Sequence, residues 1–316
     1  MSPSIDDIEI FVAVAKSSSM RRAADQLGIS PSIVSRQIAK LEDIFGKTLF
    51  ERRPNGVKLT SVGQVFFDHA IRILHHMADL HTDIQLEAHE KAGIVNIASV
   101  EGVTKNFLAP ELAAYRKENP HTAFNLRVLG RNLVLSAVED YEAVIGLVYD
   151  HFSNPGIEIV GQWKQPLLAF VRSGHSLLSS HATVKDLEQW HYALPDDSFG
   201  IRRIASSVFQ KRHLKLSPML VTNQLQFLIQ SAIESDLIIF MPLQAARQEV
   251  KQGLLVPMDT GFPEFQHRFI SFVVHRSRPR ASHVQAVLDH LIAAIPHAEE
   301  ADRKLLDTVG IFKLYE

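Results

Sequence analysis

Cysteine is absent from all 316 residues. Disulfides therefore contribute nothing, a thiol-based redox sensor is excluded, and a reducing compartment is compatible. Long apolar runs are missing too: none reaches the roughly 20 residues that a membrane-spanning helix needs. The first residues lack a basic segment followed by an apolar one, so no signal peptide is expected, and the cytoplasm is the expected location. Neither charge dominates. Lys and Arg number 33 against 35 Asp and Glu, a net charge of −2, so there is no global basic field. Nor does the chain hold a G-x-S-x-G, G-x-G-x-x-G, H-E-x-x-H or P-loop pattern, and nothing positive points to an enzyme or a cofactor.

What is present is a soluble globular composition, 46% hydrophobic and 22% charged, with length for two or three domains. The basic residues are concentrated at one end. From Lys16 to Lys58 there are nine Lys or Arg against four acids. A basic N-terminal module on a balanced body is the footprint of a chain that meets phosphates at one end only.

Residues 20–45 lie inside that module. Ala23, Ala24 and Leu27 form one short apolar helical face, Gly28 can take the positive φ of a sharp exit, Ser30 suits an N-cap and Pro31 the first helical position. Val34, Ile38, Leu41 and Phe45 then recur at four, three and four. Ser32, Ser35, Arg36, Gln37 and Lys40 occupy the other face. A helix held from behind, with donors and positive charge in front, suits a DNA major groove. The competing reading is an amphipathic hairpin whose polar face meets water.

The chain around it continues the pattern. Residues 5–16 read as a first helix through Ile8, Phe11, Val12 and Ala15, and Ser17, Ser18 and Ser19 offer a cap before the second, whose first turn carries Arg21 and Arg22. Extended runs at 48–50 and 57–59 flank an Asn55-Gly56 turn, predicting a hairpin tipped by Arg52 and Arg53. Thr60 should cap a helix to about residue 91. In it Phe66, Ala70, Ile73, Met77, Leu80 and Ile84 follow a heptad seam, which predicts a coiled-coil dimer. Histidines 69, 75, 76, 81 and 89 on that helix lack the clustering a metal site needs, so no metal is expected. From residue 93 strands and helices alternate to a final helix at 284–295, predicting parallel sheets in two small α/β lobes. A charged tail, 299–316, carries a helical stripe without an evident place.

Taken together, Ala23-Ala24, Leu27, Ser30-Pro31-Ser32, Val34-Ser35, Ile38, Leu41-Glu42, Gly46, Leu49-Phe50-Glu51-Arg52 and Leu59-Thr60-Gly63 fall in the order and spacing of the LysR-type transcriptional regulators. Leu108-Ala109-Pro110, Asn119-Pro120, Gly174-His175 and Met241-Pro242 are weaker echoes, and the chain resembles that family over nearly its whole length. The resemblance implies a winged helix-turn-helix over 1–60 and a dimerising linker helix over 61–92. It implies an effector domain over 93–298, shaped like a type 2 periplasmic binding protein. Lobe 1 would take 93–161 and 268–298, and lobe 2 would take 162–267.

It also implies double-stranded DNA, a small-molecule effector and further copies of the chain as partners, in a homotetramer, with RNA polymerase a candidate partner. Ser32, Ser35, Arg36 and Lys40 would read bases, Gln37, Ser30 and Pro31 would lie beside them, and Arg21, Arg52, Arg53 and Lys58 would meet phosphates or a minor groove. Family position places the effector among Ser99, Glu101, Gly102, Val103, Thr104, Arg131, Ser198, Phe199, Gly200, Arg202 and Asn223, with Ser198 capping the helix that carries Arg202. Glu101 adds negative charge there. Either it pairs with Arg131 or Arg202 and leaves an anion site intact, or the effector carries an amine or no charge. The sequence departs from the family at Glu142, before its strand, and at Glu234-Ser235-Asp236, where a Gly-rich turn is usual.

Overall fold

The computed structural model describes residues 2–54, 56–87, 93–149, 152–178 and 190–310, with the side chains of 79 and 81–87 left aside. The chain forms two compact units, residues 1–91 and 92–316.

In the first unit, helix α1 (Ile5–Ser17) opens on a capping box in which Ser4 Oγ accepts the Asp7 N–H and the Asp7 carboxylate accepts the Ser4 N–H. Ser19 caps α2 (Met20–Leu27), which ends at Gly28 with φ +66°. Ser30 Oγ accepts the Ile33 N–H, Pro31 stands at the first position, and α3 (Pro31–Phe45) closes at Gly46 with φ +61°. Phe11, Val14, Ala23, Ala24, Val34, Ile38, Leu41 and Leu49 build one core. Leu27, expected on the buried face, is 37% exposed beside the αL exit.

Strands β1 (Phe50–Arg53) and β2 (Gly56–Leu59) pair antiparallel, so Arg52 and Arg53 lie on the strand itself. Asn55 is outside the described residues. The hairpin is fixed at its base. Glu42 Oε1 accepts the N–H groups of Leu49 and Phe50 at 2.7 and 3.2 Å, and Val57 N–H donates to Ser18 O. Thr60 Oγ1 accepts the Gly63 N–H as α4 (Ser61–Glu87) begins, and a Cβ at Gly63 would stand 2.0 Å from Leu49 O. That approach explains the glycine.

The expected heptad seam divides. Phe66 packs its ring on Phe11 and Phe45, and Ala70 is buried, so these two complete the unit's own core instead of a dimer face. Ile73 and Leu80 are exposed and Met77 is half-buried. The Ile84 side chain, like those of His81 and His89, lies outside the described set.

The second unit has two lobes. In lobe 1, β3 (Ile94–Ser99) runs parallel to β4 (Ala123–Val128) and β5 (Ile145–Tyr149), while β12 (Phe269–His275) is antiparallel to β5 and to β6 (Ile157–Lys164), in the order β4-β3-β5-β12-β6. Helices α5 (Ala109–Glu118) and α6 (Arg131–Glu139) connect the parallel strands. In lobe 2, β7 (Leu167–Arg172) sits between β10 (Ile239–Pro242) and β11 (Leu255–Met258), antiparallel to both. Strands β8 (Tyr192–Pro195) and β9 (Pro218–Thr222) join this sheet through Tyr192 and Ile238. Helices α7 (Gly200–Lys211), α8 (Leu225–Glu234), α9 (Leu243–Lys251) and the short α10 (Pro263–Gln266) cover it.

Both sheets are thus mixed, not purely parallel, because the chain crosses between lobes and returns in the opposite sense. The first crossing comes later than expected. β6 stays paired with β12 through Lys164, so the chain leaves lobe 1 at Gln165, whose N–H donates to Arg268 O at the return.

The final helix also exceeds its expected length. Helix α11 (Ser282–Thr308) runs through Pro296, and the apparent tail supplies buried Asp302 and Leu306. Residues 311–316 lie outside the described set, as does 187, where a helix or turn was expected.

Candidate nucleic-acid interface and inter-lobe cavity

Helix α3 turns Ser32, Ser35 and Arg36 to solvent and buries Val34, Ile38 and Leu41 behind them. Beside it lies a groove of about 400 Å³ formed with α2 and the hairpin. Arg21, Ser35, Ile38, Ala39, Glu42, Arg52 and Arg53 are among the residues that line it. Ser30 and Ser32 hydroxyls are 2.9 Å apart, so Ser30 and Pro31 set the start of α3 rather than extend from it. Gln37 is half-buried and Lys58 is exposed opposite Glu51 on the hairpin. Arg53 lies 3.5 Å from Glu51 with both side chains open to water, a weak pair.

Lys40 has a partner inside the unit. Its Nζ is 2.7 Å from Asp7 Oδ2, a carboxylate that is 1% exposed. Burial pushes the Asp7 pKa up, but the bonds from Lys40 and Ser4 outweigh it and hold it below the usual value. Lys40, whose side chain is 41% exposed, neutralises a buried charge between α1 and α3.

In the second unit a cavity of about 30 Å³ lies between the lobes, room for no more than a water or two. Lobe 1 supplies Val100, Glu101, Gly102, Val103, Leu129, Gly130, Arg131, Tyr149 and Ile270, and lobe 2 supplies Phe199, Gly200, Ile201, Leu225 and Pro242. Of the residues expected from family position, Glu101, Gly102, Val103, Arg131, Phe199 and Gly200 meet there. Ser99, Thr104, Ser198, Arg202 and Asn223 do not line it. Ser99 is fully buried and donates to Val100 O, and Thr104 Oγ1 donates to Glu101 O. Ser198 caps nothing: its hydroxyl goes to Asp196 Oδ1, and Phe199, without a side-chain bond, is the N-cap of α7. Arg202 lies near Asp197, and Asn223 is exposed.

Glu101 has backbone partners on the far side of the cleft. Its carboxylate crosses to lobe 2 and accepts the N–H groups of Leu225 and Gln226 at 3.0 and 3.2 Å, capping α8. The apolar lining from β5, β12, α7 and α8 was missed because those residues read simply as core. Two further ties bind the lobes: Lys105 Nζ to Glu249 Oε1 at 2.7 Å, and Asn106 Nδ2 to Gln244 O at 2.6 Å. The two departures from the family pattern are surface pairs, Arg127 with Glu142 and Arg172 with Asp236.

Asp302, fully buried on α11, accepts Gln165 Nε2 from the crossing and Gln244 Nε2 from α9, with Arg247 Nε 2.9 Å away. Burial raises its pKa to about 6 against the pull of Arg247 and the two amides. Among the described residues no helix is long and apolar enough to cross a membrane.

Comparison with known proteins agrees with this architecture. Residues 5–64 match the bacterial regulatory helix-turn-helix proteins of the lysR family, and residues 88–296 match the LysR substrate binding domain. Among curated relatives, an uncharacterized HTH-type transcriptional regulator, YdcI of Escherichia coli, is 24% identical over 79% of this chain and 83% of its own length. The RuBisCO operon transcriptional regulator of Allochromatium vinosum is 24% identical over 86% and 90%. Solved folds that superimpose include full-length CbnR complexed with its target DNA, with a TM-score of 0.60, 18% identity and coverage of 93% of this chain and 99% of that one. A full-length OxyR variant from Pseudomonas aeruginosa gives 0.66 at 15% identity, covering 92% and 95%. A helix-turn-helix joined to a two-lobed domain, matched by both family profiles over most of its length, places this chain in the LysR family of DNA-binding transcriptional regulators.

Proposed function

We propose that α3 reads an operator from the major groove, with Ser32, Ser35 and Arg36 meeting base edges and Arg36 pairing with guanine. Arg21, Arg52, Arg53 and Lys58 hold phosphates or a minor groove and position the helix. The observation that carries this reading is the exposed row of donors on α3 above a reverse face on which Val34, Ile38 and Leu41 are buried, while Phe45 at its end is 44% exposed. Exposed Ile73 and Leu80, with Met77, supply an apolar face through which α4 pairs two copies and sets two reading helices on one operator. A tetramer in the cytoplasm, a small effector received between the lobes, and contact with RNA polymerase complete the proposal. Membership of a family of transcriptional regulators favours regulation over catalysis.

Genomic footprinting followed by titration tests it. The purified chain should select one recurrent half-site in two copies. Retention of random fragments without a shared sequence would refute the reading role of α3.

A further inference from the structure

Resting on the effector reading above, we infer that Glu101 is the specificity-determining residue of the inter-lobe site, an internal carboxylate that fills its anion-binding end and makes it select uncharged molecules. Helix α8 brings no capping side chain of its own, since Gln224 at its N-cap makes no such bond. Its first N–H groups nevertheless have a partner, because the two Glu101 oxygens, from the other lobe, take Leu225 N–H and Gln226 N–H one each. A free carboxylate would seek the same backbone groups, as helix N-termini attract anions. It would have to displace one already tethered there, whose local concentration is that of an intramolecular ligand.

Beyond Glu101 and Arg131 the lining is mainly apolar, from Val100, Leu129, Phe199, Ile201 and Leu225. The two charged groups on that lining, Glu101 and Arg131, sum to zero. The space left is about 30 Å³, so an effector enters by moving apolar side chains such as Phe199 rather than by finding an open anion pocket. The same bonds tie lobe 1 to lobe 2, so Glu101 sets both what the site accepts and how firmly it stays shut.

Chemical rescue on the full chain tests this without knowledge of the natural effector. Thermal unfolding is followed in acetate, formate and benzoate, each against chloride of equal ionic strength, for wild type, Glu101→Ala and Glu101→Gln. Loss of one cap should lower the midpoint of Glu101→Ala by about 2–8 °C. Saturating carboxylate should restore most of that loss, while wild type stays unmoved beyond the chloride control. Glu101→Gln, which keeps one acceptor, should fall between the two. Saturable stabilisation of wild type by these anions, or a Glu101→Ala protein that neither weakens nor responds, overturns the inference. Failure of the effector reading has a different signature: rescue of Glu101→Ala persists, while no uncharged or charged metabolite changes operator affinity of wild type.

Discussion

The proposed roles of individual side chains separate in their effects on binding. Arg36→Ala should reduce the preference for the operator over random duplex by the worth of a bidentate base contact, about 1–3 kcal/mol. Arg53→Ala should weaken both DNAs alike and lower the slope of log affinity against log salt by about one. Titration of both variants on both duplexes at two salt concentrations checks this, and equal losses on the two DNAs for Arg36→Ala would contradict it. Gly63→Ala places a methyl 2.0 Å from Leu49 O, so it should cost at least about 2 kcal/mol in urea unfolding of the first unit.

Asp302 makes a pH prediction. Its folded pKa, raised to about 6, exceeds the ordinary 3.8, so the stability it favours is complete below about pH 4 and is lost as pH rises through about 6. Unfolding midpoints from pH 4 to 7 should fall across that window in wild type, and the contribution should vanish in Asp302→Asn. Identical pH slopes would refute the assignment. Asp7 has the opposite sign: its lowered pKa adds stability above about pH 4 and loses it in acid.

Elements show how far local pattern carries. The start of α3 was legible in full, because Gly28, Ser30 and Pro31 each have one conformational use, and their caps form as expected. The role of α4 was only half legible. Periodicity says that a face is buried but not by what, and Phe66 and Ala70 prove to be claimed by Phe11, Phe45 and their own unit. Exposed positions are where the dimer reading has to stand, so Leu80→Glu should break the α4 pairing and lower the mass in sedimentation, and an unchanged mass would exclude that face.

The end of α11 was illegible for a different reason. Pro296 and a run of charge read as a break, yet the helix continues because Asp302 is needed by Gln165, Gln244 and Arg247, and no local signal announces three distant partners. Ending the chain at residue 297 leaves those donors without their carboxylate. It should lower the unfolding midpoint of the second unit by several degrees.

At the scale of the whole molecule, the two-lobed plan was visible in the alternation of strands and helices, while the mixed sheets and the crossing at Gln165 were not. Strand direction depends on where the chain returns, which hydrophobic pattern does not record. The cavity was half visible: the loops at Glu101, Arg131 and Phe199 could be placed by family spacing, whereas its walls from Tyr149, Ile201, Leu225 and Ile270 are indistinguishable in sequence from ordinary core. The partners of Glu101 leave no trace in the sequence, since they are backbone groups 124 and 125 residues away.

The central claim is that α3 selects sequence. Competition binding at about 150 mM salt, full-length protein on its footprinted operator against random duplex of equal length, measures it directly. The account predicts a preference of at least about 10³-fold. Equal affinity for the two duplexes would contradict it.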